Sequence, residues 1–515
     1  MKILSVGSDN NLFKEGSAVA LRQIDYGKQV EKLYIVNFCL LSSYYQNIKL
    51  SENVYVYPTR SLFKLLYSSD AFLIARKLQK PDLVVAQDPF EAGLGAFFIA
   101  SYFDVPFQIQ IHTDLFSPYF AQTSYLNKLR LYIAKFLLKR AGGIRVVSER
   151  IKKSLLATGL EINEDNIDVL PIWVDTAKIK SAPIAHDLHK KYSQFERIIL
   201  MASRLTREKN IILAIEAMAV LVKKYARLGL IIVGDGPEKN NIEHSIESFN
   251  LENNVIIEEW NNDLSSYYKT ADIFLLTSNF EGYGMTVIEA LSAGTPVVMS
   301  DVGCAGEIVE DGTNGLIFEV GNLDKLRMTL ERLIGDPILY EQLRTNIEKL
   351  LHVESKEAYL KRYVKSWDKS IFRGPCGVFS NRRLFWEDTD DHLVQLLRYV
   401  VVGTIAFASD FFALIIFKEY FGINYLLASV FSFMVGLMTN YILNIKWVFK
   451  KGSNFGKYAE ILLFLLINFL GLVGSTFLIW LLTGILGVYY LISKIFATVV
   501  VLVWNFLVRK YILYK

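Results

Sequence analysis

Cysteine is scarce in this chain: Cys39, Cys304 and Cys376 stand far apart. No pair has the spacing of a disulfide framework or a metal knuckle, so all three are expected as packing residues in a reducing compartment. Net charge is nearly absent too. Lys and Arg number 56 against 52 Asp and Glu, a balance of +4, too small to argue for a nucleic-acid partner. The N-terminus, MKILSVGSDNN, has too short an apolar run for a signal peptide and reads as a first strand running into a polar loop. Charged residues are only 21% of the 515, and 52% are hydrophobic. With a mean hydropathy of +0.28, part of the chain is expected to lie outside water.

That apolar content is unevenly placed. Up to about residue 370, runs such as DLVVAQ, RIILMAS, LGLIIVGDG, DIFLLTS and TPVVMS alternate with helical stretches such as NIILAIEAMAVLVKKYA. Continuous apolar strands separated by helices predict a parallel sheet covered on both faces. The pattern runs twice, with a polar, proline-containing join before FERIILMASRL. The expected fold is α/β: two doubly wound Rossmann-like domains, 1–185 and 186–370, with ligands at the carboxyl ends of the strands. A linker, 371–392, leads to an all-α region, 393–515, with four long apolar segments at about 394–417, 422–443, 458–483 and 486–508. Each is near or above the ~20 residues that span a bilayer as helix. Arg382, Arg383 and Arg398, then Lys446, Lys450, Lys451 and Lys457, then Arg509, Lys510 and Lys515 fall on one side of these spans. Lys418 and Lys494 are what the other side offers. The positive-inside tendency therefore puts the α/β part in the cytoplasm, on a multi-pass protein of the cell membrane.

The stretch NFEGYGMTVIEALSAGTPVV places Glu281 and Glu289 around a glycine turn and a helix start. The amides near Gly282, Gly284, Met285 and Thr286 form a ready anion site at a helix N-terminus. An ionised glutamate beside it suits hydroxyl groups. Phosphate with vicinal hydroxyls suggests a nucleotide. The plainer reading is a solvated turn residue and an early-helix carboxylate. SRLTREKN sets Arg204 and Lys209 just after a strand, where two cations suit a diphosphate. VGDGPEK sets Gly234 at the next strand end, in a turn that lets backbone approach a ligand. No metal site is expected; DTD at 388–390 reads as a solvated acidic patch in the linker.

SRLTREKN, VGDGP, EGYGMTVIEALSAGTPVV and DVGCAGEIVEDGTNGLIF, in that order, resemble the family 4 retaining glycosyltransferases of GT-B fold. The resemblance implies that Arg204 and Lys209 hold the donor diphosphate. It implies that Glu289 takes the ribose hydroxyls, and that Glu281 with the nearby amides meets the transferred sugar. Catalysis with retention would then be positioning plus leaving-group stabilisation, with no side-chain nucleophile, no cofactor and no metal. His112, in IQIHTDLF, matches the family's histidine near the reacting sugar, against a plain structural role. Gly16 stands where the family often has paired glycines, and Ser148 matches a cleft-lining serine. Trp260 either stacks on the base or packs.

LLRYVVVGTIAFASDFFALIIF, TNYILNIKWVFK and WNFLVRKYI resemble the GtrA-like four-helix membrane proteins, which are associated with polyprenyl-phosphate-linked sugars. Asp410 lies inside the first span, where a carboxylate is costly and a functional candidate by default. Asn440, Asn444, Asn468 and Asn505 are candidates for hydrogen bonds between helices, as structural glue or as a site. Arg398, Lys446 and Arg509 either meet a lipid phosphate or snorkel. The expected function is transfer of a sugar from a nucleotide sugar, UDP before GDP, to a polyprenyl-linked or other lipid-linked acceptor in cell-surface glycan synthesis. The alternatives are a lipid-linked-sugar translocase with a cargo-supplying transferase domain, and a sugar-nucleotide-binding regulator without turnover. Self-association is left open.

Overall fold

The computed structural model describes residues 1–261, 263–350, 354–374, 392–422, 425–449, 457–487 and 490–513. It forms two compact units, Met1–Cys376 and Gly377–Lys515.

The first unit contains two sheets. One has eight strands: β1 (Lys2–Gly7), β2 (Lys32–Asn37), β3 (Ile48–Ser51), β4 (Val54–Pro58), β5 (Leu83–Ala86), β6 (Phe107–Ile111), β7 (Gly143–Val146) and β8 (Ile167–Val169). Their order is β3-β4-β2-β1-β5-β6-β7-β8, with β3 antiparallel at the edge. The other has β9 (Arg197–Ala202), β10 (Leu228–Val233), β11 (Val255–Glu258), β12 (Ile273–Leu276), β13 (Val297–Ser300) and β14 (Gly315–Phe318). These pair in parallel in the order β11-β10-β9-β12-β13-β14. Such an order with helical crossovers is the doubly wound arrangement that continuous apolar strands predict. Successive side chains on β9 show why. Ile198, Leu200 and Ala202 join one buried core, while Ile199 and Met201 join the core on the opposite face. A strand dry on both sides cannot alternate polar with apolar.

The second domain ends earlier than the sequence pattern suggests. Helix Lys356–Phe372 folds back onto the first sheet, adding Tyr359, Leu360, Tyr363 and Trp367 to the core of Ile3, Leu33 and Val85. Buried polar groups on the strands fix its seat. Gln108 donates to Ser366 Oγ at 2.7 Å, and Gln110 donates to Tyr363 OH at 2.7 Å. Arg145, on β7 and 3% exposed, donates to Gln110 Oε1 at 2.9 Å and stands 4.7 Å over the Tyr363 ring. At Gly143 a Cβ would come within 2.0 Å of Ser370 Oγ, so the helix can pack this closely only over glycine.

In the second unit, helices His392–Ile415, Tyr425–Leu443, Lys457–Ile479 and Tyr490–Val508 run into π-helical turns at Ile416–Tyr420, Asn444–Val448, Trp480–Ile485 and Arg509–Leu513. Tyr399, Val402, Phe464, Ile467 and Phe506 make a shared core. Large apolar side chains, among them Phe412, Met438, Leu462 and Phe469, are exposed. Four helices stand where four spans were expected. Among the described residues, however, no helix is long and apolar enough to cross a membrane. Arg382, Arg383, Lys450, Lys451 and Lys515, and the DTD at 388–390, lie outside the described residues, as does most of the expected linker.

Candidate functional site

The carboxyl ends of β9, β10 and β12 carry the expected donor-site residues. After β9, the backbone of Ser203–Asn210 is tied to its neighbours: Leu205 N–H donates to Asp235 O at 2.9 Å and Glu238 N–H donates to Leu205 O at 3.0 Å. The close pairing of these loops requires glycine, because a Cβ on Gly234 would stand 1.9 Å from the Ser203 carbonyl oxygen. The loop also grips the β12 end. Thr277 Oγ1 donates to the carbonyls of Lys209 and Asn210, both at 2.9 Å, and Asn210 Nδ2 donates to Asn279 Oδ1 at 3.1 Å.

This framework brings Lys209 onto Glu281. The Lys209 ammonium lies 2.5 Å from Glu281 Oε1, with the side chains 16% and 13% exposed. Ser278 Oγ donates to the same oxygen at 2.8 Å. Screening by water is weak at such burial, and the pair is set in a defined geometry. Arg204 lies apart from the pair, its side chain 79% exposed and the Glu208 carboxylate 3.8 Å away.

Gly284 has φ +90, a left-handed conformation suited to glycine, and it turns the chain into helix Met285–Ser292. The amides of Met285 and Thr286 stand in the first turn, where helix N–H groups have no intrahelical acceptor. Glu289 follows one turn later and is half-buried; Tyr268 OH donates to its Oε2 at 2.8 Å. Burial lifts its carboxyl above the ordinary glutamate range, against the lowering effect of the Tyr268 hydrogen bond.

His112 follows β6 and meets the other domain. A Cβ on Gly282 would stand 1.9 Å from the His112 carbonyl oxygen, so the two walls touch next to Glu281. Burial pushes the His112 imidazole down to about 3, with the positive charges of Arg145 and Arg22 adding to the effect. It is neutral throughout the physiological range, able to donate from one nitrogen and accept at the other. The structure thus unites Lys209, Glu281, Gly282 and His112. A cavity of about 260 Å³ opens beside them, lined by Asp114, Ser154, Asn279, Glu281 and Asp301 among others.

The expectation for Ser148 changes. Ser148 is completely buried and does not line the cleft; its hydroxyl caps helix Glu149–Leu156 by accepting from Ile151 N–H at 3.3 Å. Gly16, with φ +70, lies in an exposed turn ahead of the helix capped by Ser17. Trp260 is half exposed. Among the described residues, no three His, Cys, Asp or Glu side chains group as metal ligands. Ser278, Asn279 and Tyr268 escaped the sequence reading. The first two sit in the TSNFEG stretch that carried a signal for Glu281 alone, and nothing in sequence ties Tyr268 to Glu289.

In the second unit, Asp410 packs against a helix with no side chain opposite: a Cβ on Gly436 would stand 2.8 Å from its own Cβ. Arg509 is 1% exposed and donates to Asn440 Oδ1 at 3.0 Å and Asn468 Oδ1 at 2.9 Å, with the Phe464 ring 4.2 Å away. It does not snorkel, because its guanidinium is held inside by amide oxygens. Asn444 is buried and donates to Asn440 O at 2.7 Å, and Arg398 donates to Trp447 O at 2.8 Å. Asn505 lies against Gly471, and Lys446 is exposed.

Three sequence families match the chain. "Glycosyltransferase Family 4" covers residues 42–178, "Glycosyl transferases group 1" covers 187–350, and "GtrA/DPMS, transmembrane domain" covers 398–514. The chain belongs to the family 4 glycosyltransferases and carries a GtrA-like domain. Among curated relatives, the alpha-monoglucosyldiacylglycerol synthase of Streptococcus pneumoniae is 27% identical over 305 residues, 57% of this chain and 67% of that one. The UDP-Gal:alpha-D-GlcNAc-diphosphoundecaprenol alpha-1,3-galactosyltransferase of Escherichia coli is 27% identical over 36% of this chain and 50% of its own. The chain thus spans about half to two thirds of these two relatives. Among solved structures, Anabaena Alr3699/HepE in complex with UDP and glucose superposes with a TM-score of 0.58 at 21% identity, over 72% of this chain and 99% of its own. That likeness establishes the two-domain GT-B fold of this glycosyltransferase.

Proposed function

We propose that this glycosyltransferase moves a sugar, with retention of configuration, from a nucleotide sugar to a lipid-linked acceptor at a membrane. The observation that carries the reading is the Lys209–Glu281 pair, held at a strand end directly beside the Gly282–His112 contact. Lys209 and Arg204 neutralise the departing diphosphate, and the amides of Met285 and Thr286 add their partial charge. Glu289 accepts from the ribose hydroxyls. Glu281 and the neutral His112 hydrogen-bond the transferred sugar. The acceptor hydroxyl attacks from the face the diphosphate leaves, so departing phosphate oxygens take its proton. With the diphosphate charge already met by fixed cations, transfer requires no divalent metal. UDP is the favoured carrier; the Escherichia coli relative named above is a UDP-galactose enzyme acting on a diphosphoundecaprenol acceptor.

The GtrA-like domain and its exposed apolar side chains support a multi-pass membrane unit, and the one-sided placement of Lys and Arg in the sequence favours the α/β part in the cytoplasm. A translocase role is a second reading, favoured by Asp410 and by the buried Arg509 with its asparagines. Membranes containing the full chain are incubated with labelled nucleotide sugars, and the lipids are extracted. Label in the lipid fraction is expected from a UDP-sugar; failure with every donor overturns transfer to lipid. In sealed vesicles, label that stays on the side of synthesis excludes translocation. Label on the opposite side, lost with Asp410→Ala, establishes it.

A further inference from the structure

The loop between β13 and β14 joins the two domains at the site. Glu307 places its carboxylate on the first turn of helix Glu149–Leu156 in the other domain, accepting from Glu149 N–H at 3.1 Å and Arg150 N–H at 2.7 Å. Arg150 returns the contact, its guanidinium donating to the Asp301 carboxylate and to Ala305 O at 3.1 Å. A carboxylate at a helix N-terminus and a guanidinium nitrogen shared between a carboxylate and a carbonyl are both directional, so together they define one relative setting of the domains.

The same loop supports the catalytic turn from behind. Cys304 N–H donates to Tyr283 O at 2.9 Å. Gly303, with φ +56, lies so close that a Cβ would meet Tyr283 O at 2.7 Å and Glu281 Cβ at 3.0 Å. One seven-residue stretch, 301–307, therefore touches the first domain on one side and the backbone carrying Glu281 on the other.

We infer that Arg150 and Glu307 are positioning residues for sugar transfer, a latch that holds the two walls together and sets Glu281 against His112 through the Gly282 contact. Arg150 and Asp301 are 32% and 54% exposed, so their charge attraction is screened, and the value of the latch is geometric. Arg150 borders the cavity beside Glu281, whereas Glu307 does not line it, so the control on nucleotide affinity rests on Glu307.

This inference rests on the transferase reading, and its test keeps the two apart. Full-length protein in nanodiscs carries spin labels at Tyr102→Cys and Met328→Cys, one exposed position in each domain, on a Cys376→Ser background; Cys39 and Cys304 are buried. Glu307→Gln, close in size to the native side chain, and Arg150→Ala are each expected to broaden and lengthen the interdomain distance. In Glu307→Gln, UDP affinity should stay within about twofold, while in both variants UDP release from UDP-sugar falls about tenfold or more, because a displacement of ~1 Å at a reacting pair can cost ~100-fold. Exchanging the partners, Arg150→Asp with Asp301→Arg, should recover both distance and rate; Arg150→Lys serves if the alanine variant does not fold. Unchanged distances in the single variants overturn the latch, as does a loss of UDP affinity equal to the loss of rate. A wild-type chain that releases no UDP but whose distance shifts with Glu307→Gln keeps the latch and removes the transferase reading.

Discussion

The two α/β domains share an architecture but place polar residues on opposite principles. In the second domain, the buried positions of β9 to β13 are apolar except Ser300 at the end of β13, and the candidate site groups lie in loops at the strand ends: Arg204 and Lys209 after β9, Gly234 after β10, Glu281 after β12. In the first domain, polar groups lie within the strands themselves. Gln108, Gln110 and Arg145 are each 3% exposed or less, and their side-chain donors are met by helix Lys356–Phe372 or by backbone carbonyls next to it. The second domain sets its polar groups in strand-end loops beside a cavity. The first spends its own on receiving a helix from the far end of the unit, because a buried donor without a partner is costly.

The comparison breaks most visibly if that helix is loosened. Trp367 is 3% exposed in the first core, and Trp367→Ala is expected to cost about 3–5 kcal/mol. A thermal melt should show the first domain unfolding earlier while UDP binding by the second survives; simultaneous loss of both would mean the domains do not differ in this way. Lys209→Ala or Glu281→Ala tests the other side. Removing a charge-assisted contact amounts to about 1.5–3 kcal/mol, so transfer should fall roughly ten- to hundred-fold with the fold intact by circular dichroism. Wild-type turnover in either variant shows that the strand-end pair is structural.

A smaller effect is expected from pH. The Glu289 carboxyl titrates above the usual glutamate range because it is buried. It is therefore the acidic side that changes: as pH falls through the raised value, the carboxylate takes up a proton and loses acceptor capacity for the ribose. Donor affinity followed by calorimetry should weaken on acidification at a higher pH than an ordinary glutamate allows, and Glu289→Gln should flatten that profile. His112, held near 3, contributes no inflection between pH 5 and 8, so one that disappears in His112→Asn would reassign the titrating group. The smallest expected effect is that of EDTA, which should leave transfer unchanged; loss restored by Mn²⁺ or Mg²⁺ would put a metal where the fixed cations are drawn.

How far each domain was legible follows from the same contrast. Strand-end cations, a glycine turn and two carboxylates near one helix start are local patterns, each weak alone, and their order along the second domain together with the family resemblance singled them out. The paired glutamines of FQIQIH and the lone Arg145 gave no such signal, since their partners lie elsewhere in the chain; Gln108 and Ser366 are 258 positions apart. Ser148 was misread for a related reason: a serine at a strand end suits a cleft wall and a helix cap equally, and burial decided for the cap.

By itself the sequence determined two apolar-stranded α/β layers, an apolar four-helix region after them, and the order of the candidate donor-site residues, because hydrophobic period and turn chemistry act over a few residues at a time. Tertiary structure alone decided that helix Lys356–Phe372 belongs to the first core, that His112 meets Gly282, that Glu307 caps a helix of the facing domain, and that Arg509 turns inward to Asn440 and Asn468. Each of these joins residues dozens to hundreds of positions apart, where the deciding quantities are space for a missing Cβ and a partner for a buried polar atom, and neither exists until the chain has folded.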